Sequence, residues 1–161
     1  MHSVVHVHPN WIVALSCVGR DIMPIFGAYD PHGFYLAAKG IPTYESSVSI
    51  HDIETGRRVV EVMGDSEVCI LRGHGVVVAG TSVEKALRST IALHELGHMN
   101  WLAAAVGSPQ TISEPDMKRF RRRAQQGREK VELRRDGVTP FWHYMQRRIE
   151  RNERTSHDDF I

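Results

Sequence analysis

Residues Val5 to His8 alternate strictly, with Val5 and Val7 on one side and His6 and His8 on the other. A period of two marks a half-buried strand and puts both imidazoles on its outer face. The next apolar stretch, "NWIVALSCVG", has helical spacing, with Asn10 as its expected cap and Gly19 as its stop. From Arg20 to Glu45 the pattern breaks into Pro- and Gly-rich pieces that read as loop with short extended segments. "RRVVEVMGDS" reads as a helix. Two β-branched runs follow, "VCIL" and "VVVA", joined by Arg72-Gly73-His74-Gly75, and read as two strands or one strand broken at its glycines. Ser82 then opens the longest helical pattern in the chain, which ends at Gly107 with Pro109 just beyond. A basic segment and a last helical stretch, "TPFWHYMQRRIERNER", complete the sequence.

These elements fit 161 residues into one main domain, with 42% apolar and 24% charged residues, as in an ordinary globular protein. Apolar runs fall short of a membrane span, and the N-terminus lacks the layout of a secretory signal. Cys17 and Cys69 lie far apart in apolar stretches, which points to buried free thiols in a reducing cytoplasm. The net charge of +1 conceals an asymmetry. From Met117 onward lie 13 of the 20 Lys/Arg and 7 of the 19 Asp/Glu, so that part carries +6 and the rest −5. The expected organisation is a domain over 1–116 and a basic helical extension over 117–161. "KRFRRR" reads as a solvated helix face or a surface for salt bridges between subunits. It lacks the aromatic interleaving of a nucleic-acid site.

Two histidine constellations carry candidate chemistry. The first, His94-Glu95-Leu96-Gly97-His98, matches the H-E-x-x-H pattern of zinc peptidases. On a helix both rings share a face and Glu95 sits beside them. At 100° per residue, however, Val83, Leu87, Ile91, Trp101, Leu102 and Ala105 fall on that same side, which predicts a packed face. A third ligand is also wanting: Trp101 and Ala104 stand where an extended motif needs Gly and His, and Glu114 is the nearest downstream carboxylate. The second constellation is His6-x-His8, whose spacing allows two adjacent positions on one metal ion. His74, between two glycines at the end of an apolar strand, is the best third nitrogen. The alternative is a surface strand with two solvated imidazoles.

Beyond these residues, the blocks "VVHVHPNWIVALSCVGRDIMPI" and "GIPTYESSVSIHDIETGRRVVEVMGDSEVCILRGHGVVVAGTSVEKALRSTIAL" resemble the class II aldolase/adducin-head family over roughly residues 3–108. The block from "HG" through "SVE" is the most diagnostic. The resemblance implies an α/β fold: a three-layer α/β/α domain around a mixed, largely antiparallel sheet, usually assembled as a tetramer. It also implies a divalent metal, most commonly Zn2+, held by His6, His8 and His74. In that family the ion holds adjacent substrate oxygens and stabilises the enediolate formed when a carbon–carbon bond breaks. The expected activity is aldol cleavage or decarboxylation of a small hydroxy, oxo or hydroxyaromatic acid, and the wording around "LRGHGVVVAG" leans towards decarboxylases. His143 and Tyr144 are candidate proton donors, since tails of neighbouring subunits complete the site in relatives; amphipathic packing of "PFWHYM" is the competing reading. Members of the family carry some eighty or more residues ahead of the H-x-H strand, including the acid/base, so the N-terminal part of the family fold is expected to be missing here and the catalytic acid/base stays unassigned. A non-catalytic oligomerisation module like the adducin head is the other alternative.

Overall fold

The computed structural model describes residues 2–27, 29–128 and 139–151. It divides into two compact units, Met1–Arg123 and Ala124–Ile161. Four strands form one sheet in the order β1-β4-β3-β2: β1 Ser3–Val7, β2 Thr43–Tyr44, β3 Val68–Leu71 and β4 Gly75–Gly80. β4 pairs antiparallel with β1 and β3, and β2 joins β3 in parallel, so the sheet is mixed and largely antiparallel. Alternation along the strands separates two cores. Val5 and Val7 of β1, Val68 and Ile70 of β3, and Val76 and Val78 of β4 face helices α1 (Asn10–Cys17), α2 (Pro31–Ala37) and α4 (Val83–Val106). Cys69, Leu71, Val77 and Ala79 face the other way, onto Val59 and Met63 of helix α3 (Ile53–Met63). The result is the three-layer α/β/α arrangement, because a strand buried on both faces needs a helical layer on each. Among the described residues no helix is long and apolar enough to cross a membrane.

Several local expectations change. Helix α1 is preceded by Pro9 rather than capped by Asn10, which is already helical and makes no side-chain cap bond. Gly19 does end that segment, at φ +67°. The stretch expected as loop contains α2, whose signals were in the chain: Asp30 caps the His32 amide and Pro31 occupies the first turn. Helix α3 begins at Ile53, earlier than its apolar pattern, because Asp52 accepts hydrogen bonds from the Thr55 amide and hydroxyl. Cys69 is buried as expected, and that burial raises its thiol pKa. Cys17 is exposed instead, since it lies past the buried Ile12, Leu15 and Ser16 at the end of α1. Helix α5 (Glu114–Arg128) starts before Met117, with Ser113 bonded to the Asp116 amide and carboxylate. Helix α6 (Pro140–Glu150) is capped by Thr139. Residues 129–138 and 152–161 of the basic extension lie outside the described residues.

Helix α4 shows the largest difference. Its buried side is Ala86, Ser89, Ala92, Leu93, Leu96, Gly97 and Asn100, roughly a third of a turn from the face of His94 and His98. Small residues there let α1 and α2 approach closely. A Cβ on Gly97 would stand 2.3 Å from Ile12 Cγ1, and one on Gly33 would stand 3.1 Å from the Ala92 carbonyl oxygen. Asn100 replaces apolar packing with three hydrogen bonds: its amide donates to the Met23 and Leu96 carbonyls, and its oxygen accepts from the Met23 N–H. That set fastens the loop after α1 to α4 without leaving a buried polar group unpaired.

Gly97→Ala gains about 1 kcal/mol of helix propensity. Overpacking against the fully buried Ile12 outweighs this, and a net loss of about 1–2 kcal/mol is expected in urea unfolding. In a double-mutant cycle, Ile12→Ala should cost less in the Gly97→Ala background than in wild type.

Candidate metal centre

His6 projects from the α3 side of the sheet because its register partner is Val77, while its neighbours Val5 and Val7 belong to the opposite core. His8 follows one residue beyond β1. His74 sits in the tight connection between β3 and β4, which antiparallel pairing brings to the end of β1. The three ring centroids are 4.8, 4.9 and 5.0 Å apart. One ligand nitrogen from each lies within 4.8 Å of the others, and among the described residues this is the one such group of His, Cys, Asp or Glu. His6 and His8 are exposed and His74 is half-buried, so the outer side of the cluster is open to small molecules.

Both glycines around His74 are required by geometry. Gly73 has φ +65°, the left-handed region where a Cβ is strained. At Gly75 a Cβ would stand 2.5 Å from the Val7 carbonyl oxygen and 2.6 Å from His8 Cδ2. Bare backbone at Gly75 is thus what lets β4 begin hard against the end of β1 and bring His74 to His8.

The hydrogen bonds assign tautomers. His6 Nδ1–H donates to the Val76 carbonyl at 2.9 Å, which leaves Nε2 as the free lone pair of the neutral ring. His8 Nε2 lies 3.0 Å from that atom. Two nitrogens bound to a tetrahedral ion at about 2.0–2.1 Å would stand about 3.3 Å apart, so this pair is already near adjacent-ligand spacing. The widest separation, 4.8 Å, calls for a shift of about 1–1.5 Å at the third nitrogen. His74 Nδ1 is buried and has no hydrogen-bond partner among the described residues, an arrangement that normally costs stability. Burial, reinforced by the nearby His6 and His8, lowers the His74 pKa below 6.5 and favours the neutral, ligating ring. A neutral set of three imidazoles suits zinc and other late divalent ions. The residues fit the group.

The peptidase constellation does not assemble. His98 is stacked on Trp11, ring centroids 4.6 Å apart, and Trp11 also contacts Trp101 at 4.9 Å. Glu114 is engaged with Arg121 at 3.9 Å, and no third ligand joins His94 and His98 among the described residues. Both histidines belong to the helical layer on the face of the sheet opposite His6. His143 and Tyr144 lie in α6, in the second unit, where Tyr144 is exposed and Arg148 lies 5.8 Å from its ring centre.

A second polar cluster, not legible in the sequence, lies on the α1/α2/α4 side of the molecule. His32 Nε2 is 3.2 Å from Ser89 Oγ, Ser89 Oγ donates weakly to Glu67 at 3.5 Å, and Lys85 pairs with Glu67 at 3.1 Å. Burial lowers the His32 pKa, with Lys85 and Arg88 adding to the shift and Asp30 and Glu67 opposing it. Its four members come from three segments, α2, the residue before β3, and α4, which supplies both Lys85 and Ser89 one turn apart.

Comparison with known proteins gives a consistent outcome. Residues 1–101 match the family model described as Class II Aldolase and Adducin N-terminal domain. The chain is 38% identical over 107 residues to 3,4-dihydroxyphthalate decarboxylase of Rhodococcus jostii, covering 66% of this chain and 44% of that protein. It is 26% identical over 121 residues to 5-methylthioribulose-1-phosphate/5-deoxyribulose-1-phosphate aldolase of Rhodospirillum rubrum, covering 73% of this chain and 51% of the relative. An aldolase II superfamily protein from Pseudomonas syringae superposes with a TM-score of 0.69 at 22% identity, over 92% of this chain and 56% of that one. The chain thus spans about half the length of the curated relatives it matches.

The low His32 pKa sets a pH dependence. With the folded value below the unfolded 6.5, the unfolded chain binds the extra proton. This contribution to stability is complete above about pH 6.5 and is lost as pH falls towards the folded value. Urea midpoints taken from pH 7.5 down to 5.5 should fall more steeply for wild type than for His32→Gln.

Proposed function

The chain belongs to the Class II Aldolase and Adducin N-terminal domain family, and on that premise we propose that it carries the metal-binding half of a divalent-metal-dependent carbon–carbon lyase. The single observation that carries the reading is the convergence of His6, His8 and His74 at one end of the sheet. We assign these three residues as the metal ligands and Zn2+ as the natural ion. When bound, the ion supplies Lewis-acid stabilisation of negative charge developing on a chelating substrate oxygen. The protein's part is to hold the ligands. The Val76 carbonyl fixes the His6 ring so that Nε2 points outward. Gly75 sets the spacing between His8 and the His74 turn. The exposed side of the cluster leaves room for a substrate with two neighbouring oxygens.

Within this class, decarboxylation of a hydroxyaromatic acid is the preferred reaction, supported by the greater identity to 3,4-dihydroxyphthalate decarboxylases than to the phosphosugar aldolase. Loss of carbon dioxide leaves an electron pair on the ring carbon, and a proton must be delivered there. No residue of the described set is assigned that delivery. The free thiols at Cys17 and Cys69 accord with a cytoplasmic setting. A homo-oligomer is the proposed assembly, for which exposed Trp101, Leu102 and Val106 on α4 offer apolar surface. Against the H-E-x-x-H peptidase alternative stand the stacking of His98 on Trp11 and the lack of a third ligand beside His94 and His98 among the described residues.

Purified protein treated with EDTA and titrated with Zn2+ should bind one ion per chain and melt at higher temperature when loaded. His6→Ala, His8→Ala and His74→Ala should each weaken binding by about a hundredfold or more, while His98→Ala leaves it unchanged. Unaltered zinc content in His6→Ala would sink the assignment. With 3,4-dihydroxyphthalate as substrate, carbon dioxide release should require the ion. Cleavage of 5-methylthioribulose 1-phosphate instead would move the chain to the aldolase branch.

A further inference from the structure

His74 is carried by a three-residue connection, Arg72-Gly73-His74, closed by the His74 N–H donating to the Leu71 carbonyl at 3.0 Å. Such a turn has a weak point. The peptide group between Arg72 and Gly73 is flanked by a glycine, which tolerates either orientation of the peptide plane. Turning that plane over would redirect the chain at His74 and carry its ring away from His6 and His8.

The two polar atoms of this one peptide are each held by a serine, from different parts of the chain. The Gly73 N–H donates to Ser16 Oγ at 3.0 Å, and Ser47 Oγ donates to the Arg72 carbonyl at 2.8 Å. Ser16 is buried on α1 and donates its own proton to the Val13 carbonyl at 2.7 Å, so its oxygen lone pairs face the turn. Ser47 follows β2 and sits so close to the turn that a Cβ on Gly73 would stand 3.0 Å from its Oγ. The Arg72 N–H donates to the Tyr44 carbonyl at 3.0 Å, and the Arg72 guanidinium pairs with Glu45. All these groups surround the residues before His74, and none belongs to the ligand set.

We infer that Ser16 and Ser47 are positioning residues that clamp the Arg72–Gly73 peptide from both ends and thereby hold His74 in its metal-binding place. Since a peptide group is planar, fixing its N–H and its C=O fixes the whole plane. The inference rests on the metal-site reading above, and concerns how the third ligand is held rather than which residues ligate. Its consequence is a preorganised site: loss of either hydroxyl allows the apo protein to populate turned-over peptides, and zinc affinity falls by the fraction still competent.

The test measures the zinc dissociation constant by chelator competition and the EDTA-treated unfolding midpoint in the same samples. Ser47 is exposed, so Ser47→Ala should fold normally, with a midpoint close to wild type, yet bind zinc about tenfold more weakly. Ser47→Thr, which keeps the hydroxyl, should restore wild-type affinity. Ser16→Ala should weaken zinc similarly and also speed solvent exchange of the Gly73 amide. His74→Ala serves as the reference that abolishes tight binding. Wild-type zinc affinity in Ser47→Ala and Ser16→Ala, with binding lost in His74→Ala, overturns the clamp and leaves the metal site standing. Retained binding in His74→Ala overturns the metal site and the clamp with it.

Discussion

The candidate centre depends on one close backbone approach, where β4 starts at Gly75 against the Val7 carbonyl at the end of β1. Antiparallel pairing makes Val7 the partner of Val76, so the connection that carries His74 must emerge beside His8. A side chain at Gly75 would collide with both the carbonyl and the His8 ring. The contact therefore couples strand register to ligand geometry. A slip of one residue in β1 would turn His6 into the apolar core and Val5 or Val7 out of it, so burial of the valines itself enforces the position of the histidine. Two-sided burial of β3 and β4 holds the centre of the sheet, and the metal-bearing groups project from its end.

The helical layer behind the sheet explains why a peptidase-like string occurs without peptidase chemistry. In α4 the buried stripe is built from Ala, Ser, Gly and Asn as much as from Leu, because α1 and α2 cross it at short range. Leu96 and Gly97, the two variable positions of the H-E-x-x-H string, are the ones the fold uses: Leu96 is fully buried and Gly97 receives Ile12. His98 covers Trp11 at the margin of that packing. Stacking of this kind gives an imidazole an ordinary structural role on an amphipathic surface.

Polar groups buried in the same layer are organised rather than orphaned. Asn100 satisfies three hydrogen bonds and ties down the loop after α1. The His32, Ser89, Glu67 and Lys85 chain links α2, α4 and the residue preceding β3. Against this background His74 stands out, its Nδ1 buried with no hydrogen-bond partner among the described residues, and this residue belongs to the group that is otherwise arranged to take a metal ion. Stability and ligation are thus served by separate polar sets on opposite sides of the sheet.

From sequence alone, the period-two pattern placed His6 and His8 on one face, the glycines marked His74, and the ordered blocks indicated the family and its layered α/β fold. Those features are local or strung in fixed order along the chain, and local geometry carries them directly. The short helix α2 was legible in Asp30-Pro31 but was outweighed by the Pro- and Gly-rich composition around it. The buried face of α4 could not be read from hydrophobicity, because interhelical closeness selects for small side chains and makes large apolar ones peripheral. Nor could the serine contacts to Arg72 and Gly73, or the cluster around Ser89, since each joins residues more than twenty positions apart. Such contacts exist only once pairing and packing have set the distances, and tertiary structure alone decides them.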